Sequence, residues 1–171
     1  MTCRVFRKYK TIICWMVTIW LMTACDSQTR YHQFRHINEE GWRKADTIDF
    51  EVPLQDSLQS HTMKLQLRHT SRYPYKDLHI AIRILSHDSQ YNQTALFNAM
   101  LMREQGYWKG KGQGGLYQTD IGETQLPPSH RGNWHIMVYH AMDDSLLVGI
   151  HDIGVEVSAL TPGINSQENK Q

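Results

Sequence analysis

The chain has 171 residues, of which 40% are hydrophobic, 10% aromatic and 20% charged. This composition is too apolar for a disordered polymer, and the length excludes a barrel of eight βα units. The formal charge of +1 gives no indication of a nucleic-acid partner.

The first 24 residues have the layout of a bacterial lipoprotein signal peptide. Met1–Lys10 holds four basic residues and no acid, and the uncharged stretch 11–22 is shorter than the ~20 apolar residues of a membrane span. Residues 21–25 read Leu-Met-Thr-Ala-Cys and resemble a lipobox, in which the cysteine is acylated and becomes the new N-terminus. An ordinary secretory signal and an uncleaved anchor are the competing interpretations. The pattern favours a lipid on Cys25 that binds the protein to a membrane, inner or outer.

All cysteines lie in this N-terminal region, at positions 3, 14 and 25. Cys3 and Cys14 are expected to leave with the signal peptide, and Cys25 is expected to carry lipid. The mature domain therefore has no intramolecular disulfide and no cysteine nucleophile.

Residues 25–45 are predicted to be a lipidated N-terminus and tether, because the segment after Cys25 is polar. From residue 46 the pattern changes to period-two alternation of apolar and polar residues, which predicts β-strands. The alternating segments are 48–54, 63–67, 78–84, 134–139 and 153–157. Residues 161–171 are polar and are predicted to be a disordered tail.

Short alternating strands separated by turn residues predict an all-β fold, an antiparallel β-sandwich of the jelly-roll or immunoglobulin-like two-sheet architecture, over residues 46–160. The apolar segment 94–102 is ambiguous, since it fits a short helix or a strand buried on both faces. We predict a strand, because its neighbours are strands.

Several catalytic and metal-binding patterns were tested and fit poorly. The Gly-rich segment Gly110–Gly115 lacks the order of a Walker loop and is predicted to be a turn. His130, His135 and His140 are spaced by five, so a strand would place them on alternating faces, and no metal site is predicted. No Gly-x-Ser-x-Gly motif occurs. Adjacent acids at 39–40 and 143–144 are predicted to cap turns or face solvent. We therefore predict no catalytic residue, no cofactor and no enzyme.

Aromatic and basic side chains are the better candidates for a binding surface. Trp134 alternates in phase with Ile136 and Val138 and is predicted to be in the core. Trp42 and Trp108 fall in predicted loops, where they could anchor a protein partner. Lys109 and Tyr117 flank the Gly-rich segment, and Lys111 lies within it. These five residues, Trp42, Trp108, Lys109, Lys111 and Tyr117, are the predicted partner-binding residues.

Taken together, the motifs resemble one known family. After the lipobox come 31–34 (Tyr-His-Gln-Phe), 41–42 (Gly-Trp), 46–50 (Asp-Thr-Ile-Asp-Phe), 73–75 (Tyr-Pro-Tyr), the Gly-rich run 110–117, 140–144 (His-Ala-Met-Asp-Asp) and 147–155 (Leu-Val-Gly-Ile-His-Asp-Ile-Gly-Val). This ensemble spans residues 1–157 and resembles the gliding motility-associated lipoprotein family GldH of the Bacteroidetes.

The resemblance implies a lipid-anchored cell-envelope protein connected with gliding motility and type IX secretion. Such a protein would act by docking to other envelope motility or secretion proteins, and the family offers no catalytic residues to carry over. Two alternatives remain open: a glycan-binding envelope lipoprotein with exposed coplanar aromatic rings, and an envelope hydrolase with converging acids or a histidine–carboxylate pair.

Overall fold

The computed structural model describes residues 29–54, 59–128 and 132–160. This part of the chain forms eleven strands: β1 (Thr29–His36), β2 (Trp42–Arg43), β3 (Ile48–Leu54), β4 (His61–Thr70), β5 (Asp77–Leu85), β6 (Asn92–Met100), β7 (Lys111–Gln113), β8 (Leu116–Leu126), β9 (Gly132–His140), β10 (Leu146–Leu147) and β11 (Ile150–Ala159). The described residues contain no helix, and all paired strands are antiparallel. The predicted all-β class is confirmed.

Two main sheets form a sandwich. One has five strands in the order β1-β11-β4-β8-β7, the other has four in the order β3-β9-β5-β6, and β10 and β2 form a short ribbon. Both sheets contribute apolar side chains to one buried cluster. Met63, Leu65 and Leu67 come from β4, while Ile82 comes from β5 and Ile136 from β9. Burying both apolar faces against each other is what stabilises this architecture.

The five alternating segments predicted from the sequence correspond to β3, β4, β5, β9 and β11. In β5 the side chains of Leu78, Ile80, Ile82 and Ile84 are all buried, with the polar residues between them more exposed. Trp134 is buried beside Ile136, as its phase in the sequence predicts. Alternation identified these strands because each has one face against the core.

The prediction that residues 25–45 form a tether is wrong from Thr29 onward. Residues 29–36 are strand β1, which pairs with β11 from Ser158 to Asp152. On β1 only Tyr31 and Phe34 are partly buried, a spacing of three that hides the strand from an alternation test. Phe34 lies on Gly154 of β11, where an added Cβ would be 2.5 Å from the phenyl ring. An aromatic ring packed on a glycine of the neighbouring strand stabilises the pairing of the two strands. Strand β1 can therefore pair with β11 without an alternating row of apolar residues.

Strand β6 confirms the strand prediction for residues 94–100 and excludes the helix, while Leu101 and Met102 lie beyond the strand. It is the edge strand of its sheet, and its side chains are not buried on both faces. Ala95, Phe97 and Ala99 face inward, whereas Leu96 is 73% exposed. The apolar run therefore reflects one core face and one solvent-exposed face.

The end of the Gly-rich segment is the turn of a hairpin, whereas residues 111–113 within the segment form strand β7. Strands β7 and β8 are joined by Gly114 and Gly115, whose φ angles are +61° and +82°. Two consecutive positive φ angles define a turn that glycine adopts without strain. Strand β8 was missed by the sequence analysis because a bulge interrupts its register between Asp120 and Gly122, which breaks the alternation.

Two buried histidines have ring nitrogens without a hydrogen-bond partner in the described part of the chain. Neither ring nitrogen of His140 is paired, nor is Nε2 of His69. Burial lowers the pKa of both; the Lys44 ammonium lowers that of His140 further, while the Trp42 backbone and the Asp144 carboxylate partly oppose the shift. For His69 the opposing contribution is a hydrogen bond with the Thr70 carbonyl. Both rings are therefore neutral in the folded protein near pH 7.

Acidification is expected to destabilise the fold through these two histidines. Because their pKa values are lower folded than unfolded, the unfolded chain binds more protons, and stability is lost as pH falls below the unfolded pKa of ~6.5. The loss at pH 5 is at most about 2 kcal/mol for each histidine. Urea unfolding at pH 7.5 and pH 5 measures it. His140→Gln should reduce the pH dependence, while His135→Gln, an exposed histidine on the same strand, should leave it unchanged. If the free energy of unfolding fell equally between pH 7.5 and pH 5 in the parent and both variants, His140 would not cause the pH dependence.

Candidate functional site

A structured loop between β6 and β7 presents several of the predicted binding residues. The backbone carbonyl of Lys76 accepts hydrogen bonds from the amides of Leu101 and Met102, at 2.8 and 3.1 Å. Lys109 donates its amide to the carbonyl of Leu101 at 2.7 Å, and Met102 forms an isolated bridge with Trp108. Because the Leu101 side chain is fully buried, the loop is fixed to the core at its base.

This loop, with the end of β6, borders a groove of about 720 Å³, here called the basic groove. Its lining residues are Lys76, Met100, Met102, Arg103, Glu104, Gln105, Gly106 and Lys109. Three basic side chains thus face a single carboxylate, and two methionines supply an adaptable apolar floor. Tyr107 stands on the same loop and is 72% exposed. The arrangement suits an extended segment that carries both acidic and apolar side chains.

The structure brings together three of the five predicted partner-binding residues. Trp108 packs edge-on against His69, with ring centroids 4.7 Å apart, Tyr117 stacks on His69 at 5.6 Å, and the Trp108 and Tyr117 rings lie 6.1 Å apart. Both rings are only partly exposed. Lys109 lines the basic groove, and Lys111 begins β7. Trp108 and Tyr117 therefore support the loop, while Lys109 contributes a positive charge to the groove.

The placement of Trp42 in an exposed loop is wrong. Trp42 lies on β2, is 1% exposed and packs edge-on against His140 with centroids 5.2 Å apart. Its indole N–H donates to the carbonyl of Asp46 at 3.1 Å. The β10–β2 ribbon covers this end of the core, so Trp42 has a packing role. Cys25 lies outside the described residues.

The adjacent acids behave differently from one another. Glu39 and Asp143 are exposed, as predicted for turn residues, and Glu40 pairs with Arg43 at 2.8 Å. Asp144 is partly buried and accepts a hydrogen bond from the hydroxyl of Tyr75. This bond joins the loop before β10 to the loop before β5.

A cluster of two histidines and an aspartate was missed by the sequence analysis. His36 Nδ1 lies 3.1 Å from Asp152 Oδ1, and His151 Nδ1 lies 2.9 Å from Asp152 Oδ2. The three ligand atoms are all within 4.8 Å of one another. Burial would raise the pKa of the Asp152 carboxyl, but the hydrogen bonds from His151 and His36, with the nearby charge of Arg68, lower it below its usual value. Asp152 is therefore ionised near neutral pH.

The glycan-binding alternative requires at least two exposed aromatic rings in one plane. Within residues 29–54, 59–128 and 132–160, Tyr107 is the aromatic residue in the exposed class. Trp42 and Trp134 are buried, and Trp108 is packed against His69. The described surface thus offers no aromatic platform for a sugar.

The hydrolase alternative requires converging acids or a histidine–carboxylate pair. Such pairs exist, at His36 and His151 with Asp152 and at His79 with Asp77. Among the described residues, no hydroxyl group is hydrogen-bonded to any of these three histidines. A triad needs that third contact to activate a nucleophile. The absence of enzymatic activity stays a prediction.

Comparison with known sequences identifies relatives over most of the chain. The model of the family described as GldH lipoprotein matches residues 29–157. The gliding motility lipoprotein GldH of Flavobacterium johnsoniae is 22% identical over 148 residues, covering 80% of this chain and 89% of the relative. A gliding motility lipoprotein GldH homolog of Christiangramia forsetii is 22% identical over 162 residues, covering 86% and 94%.

Solved structures give only a distant likeness. An Eiger TNF from S. frugiperda aligns with a TM-score of 0.36 and 11% identity, covering 70% of each chain. A carbohydrate-binding module specific for non-crystalline cellulose, CBM28, aligns with a TM-score of 0.39 and 12% identity, covering 74% of this chain and 70% of the module. Scores this low carry no conclusion about ligands.

The described part of the chain has no helix of the length and apolarity needed to span a membrane. The family match covers all eleven strands of the sandwich except the last residues of β11. It includes the basic groove and the histidine–aspartate cluster. The chain belongs to the GldH lipoprotein family.

Proposed function

We propose that the protein is a lipid-anchored component of the cell envelope that serves the gliding motility and type IX secretion machinery as an accessory or structural part. The observation that carries this proposal is the family match over residues 29–157, joined with relatives named gliding motility lipoproteins. Its action is positional: a lipid on Cys25 holds the sandwich at a membrane, and the domain docks to another envelope protein without catalysis.

The short distance between the lipid site and β1 sets the orientation. Three residues separate Cys25 from Thr29, so the linker spans at most about 14 Å. Strand β1 then extends about 23 Å from Thr29 to His36, at about 3.3 Å for each residue. The Thr29 end of the sandwich is therefore the membrane-proximal end.

The basic groove lies toward the opposite end of the sandwich. His61 of β4 pairs with Ala159 at the Thr29 end of the sheet, whereas His69, eight residues further along β4, contacts Trp108 of the groove loop. Lys109 follows Trp108 directly. The anchor thus directs the groove away from the bilayer, where a partner can reach it.

The net positive charge of the groove indicates that a partner segment would be acidic. The groove carries Lys76, Arg103 and Lys109 against Glu104, with Met100 and Met102 between them. We assign it an extended, acidic and apolar segment of an envelope motility or secretion protein. Because the anchor holds this protein at the membrane, an envelope partner at the same membrane meets it at a high effective concentration, and weak binding is sufficient.

Charge reversal in the groove is expected to disrupt docking. The double variant Arg103→Glu and Lys109→Glu should reduce recovery of the protein in complexes with motility or secretion components about ten-fold, since like charges would replace attraction. Quantitative co-purification from detergent-solubilised membranes measures the loss.

A matched control has the same change in net charge elsewhere. Lys64→Glu and Arg83→Glu reverse one partly buried and one exposed basic residue, as in the test pair, but lie outside the groove. The control should keep its complexes. Equal losses in both double variants would show that net charge, rather than the groove, governs the association.

A further inference from the structure

We propose that His36, His151 and Asp152 form a binding site for a divalent transition-metal ion of the zinc class. Imidazole nitrogen and carboxylate oxygen are the ligand types that zinc accepts, and three protein ligands with one open position form a known kind of zinc site. The Nδ1–oxygen distances are 3.1 and 2.9 Å. Ligand atoms around a tetrahedral zinc lie about 3.3 Å apart, given bonds of 2.0–2.1 Å. The three ligand atoms here lie within 4.8 Å of one another, so rotation of the partly exposed histidine side chains is needed to bring them around one ion.

A β-bulge builds this arrangement. Adjacent residues on a regular strand point to opposite faces, so His151 and Asp152 would normally diverge. Here Ile150 pairs with His69 and Asp152 pairs with Arg68, which leaves His151 as the extra residue. The bulge turns both side chains toward His36, and bulges commonly redirect side chains in this way.

Backbone contacts fix the third ligand. His36 is the direct partner of Asp152 in the β1–β11 ladder, and the amide of Ile37 donates to the carbonyl of His151 at 2.9 Å. The two histidine rings meet edge-on with centroids 4.7 Å apart. Two strands therefore hold the ligands in place before any ion binds, which lowers the cost of ordering them.

The Arg68 guanidinium lies close to this cluster, and it has other partners. Its guanidinium lies 3.7 Å over the Phe34 ring, and its Nε donates to Gln118 at 2.8 Å. The contact from Arg68 to Asp152 is longer, at 3.5 Å. Arg68 can therefore keep its contacts with Phe34 and Gln118 while the Asp152 carboxylate coordinates a metal ion.

Exposure leaves room for a further ligand. Asp152 is buried, whereas the side chains of His36 and His151 are 57% and 44% exposed. An ion held here would be reachable from solvent, and the open position could take water or a donor atom from another protein. By joining β1 to β11, the ion would also stabilise the first strand after the anchor.

Isothermal titration of the full chain with Zn²⁺, purified in detergent without a polyhistidine tag, tests the site. We expect one ion per chain, and at least a ten-fold weaker Kd in His36→Gln and in His151→Gln. The control His79→Gln removes a histidine that pairs with Asp77 at 3.2 Å but belongs to no group of three metal-ligand side chains among the described residues, and it should bind Zn²⁺ as the parent does.

Both test histidines are largely exposed, so their variants should fold, and their melting temperatures without metal verify this. The parent should also gain melting temperature with Zn²⁺ and none with Mg²⁺, which favours oxygen ligands. Absence of saturable binding up to about 1 mM Zn²⁺, or equal weakening by His79→Gln, would overturn the proposal. Neither result would affect the proposed docking function, which rests on the groove and the anchor.

Discussion

Replacement of Cys25 by alanine is expected to abolish incorporation of labelled fatty acid and to move the protein out of the membrane fraction. Each buried methylene contributes about 0.8 kcal/mol to membrane binding, so loss of several acyl chains removes the main attachment. Metabolic labelling followed by fractionation of the envelope measures both effects.

The control for this experiment is Cys14→Ala, a cysteine within the predicted signal peptide. That variant should be labelled and retained like the parent, because its cysteine leaves with the leader. Persistent labelling of the Cys25 variant would place the lipid elsewhere and contradict the predicted lipobox.

Gly149→Ala is expected to destabilise the sandwich strongly. Gly149 has a φ of +83°, and an added Cβ would lie 2.3 Å from the backbone nitrogen of Tyr73. Its carbonyl also accepts the amide of Thr70 at 2.8 Å, so the backbone has little freedom to move away. The left-handed conformation and the clash together should cost about 2–5 kcal/mol. Urea unfolding measures the change in free energy of unfolding.

Gly114→Ala separates the two causes. Gly114 has a φ of +61°, but an added Cβ would meet nothing within 4 Å. The variant should therefore lose only the conformational contribution, about 1–2 kcal/mol. If both variants lost the same free energy of unfolding, the close approach of Gly149 to Tyr73 would not contribute to the destabilisation.

The strands that the sequence predicts are those with one face against the core. In β5, four large apolar residues occupy every second position, so the sequence alone predicts which face of the strand is buried. Strand β1 has no such pattern, because Phe34 packs on Gly154 of a strand 120 residues later, and only the fold reveals that pairing. In strand β8 the bulge adds one residue, so the side chains before and after it alternate out of step. A search for strict alternation therefore does not recognise this strand.

The candidate sites also differ in whether a local sequence pattern points to them. Lys109 was predicted as a contact residue from its place beside the Gly-rich turn, and it lines the groove. Trp42 was misplaced because a two-residue strand is too short to give a periodic signal. The cluster of His36, His151 and Asp152 joins residues 116 positions apart through a bulge, and no spacing rule covers that geometry.

Site-specific photo-crosslinking in living cells tests the central claim, that an anchored sandwich works by docking through its basic groove. A photoreactive residue at Tyr107, beside the groove, should capture a motility or secretion component of the envelope. The same residue at Gln33, exposed on β1, should not. Capture should also disappear in the Cys25→Ala background. Equal capture from both positions, or no envelope adduct from Tyr107, would contradict the account.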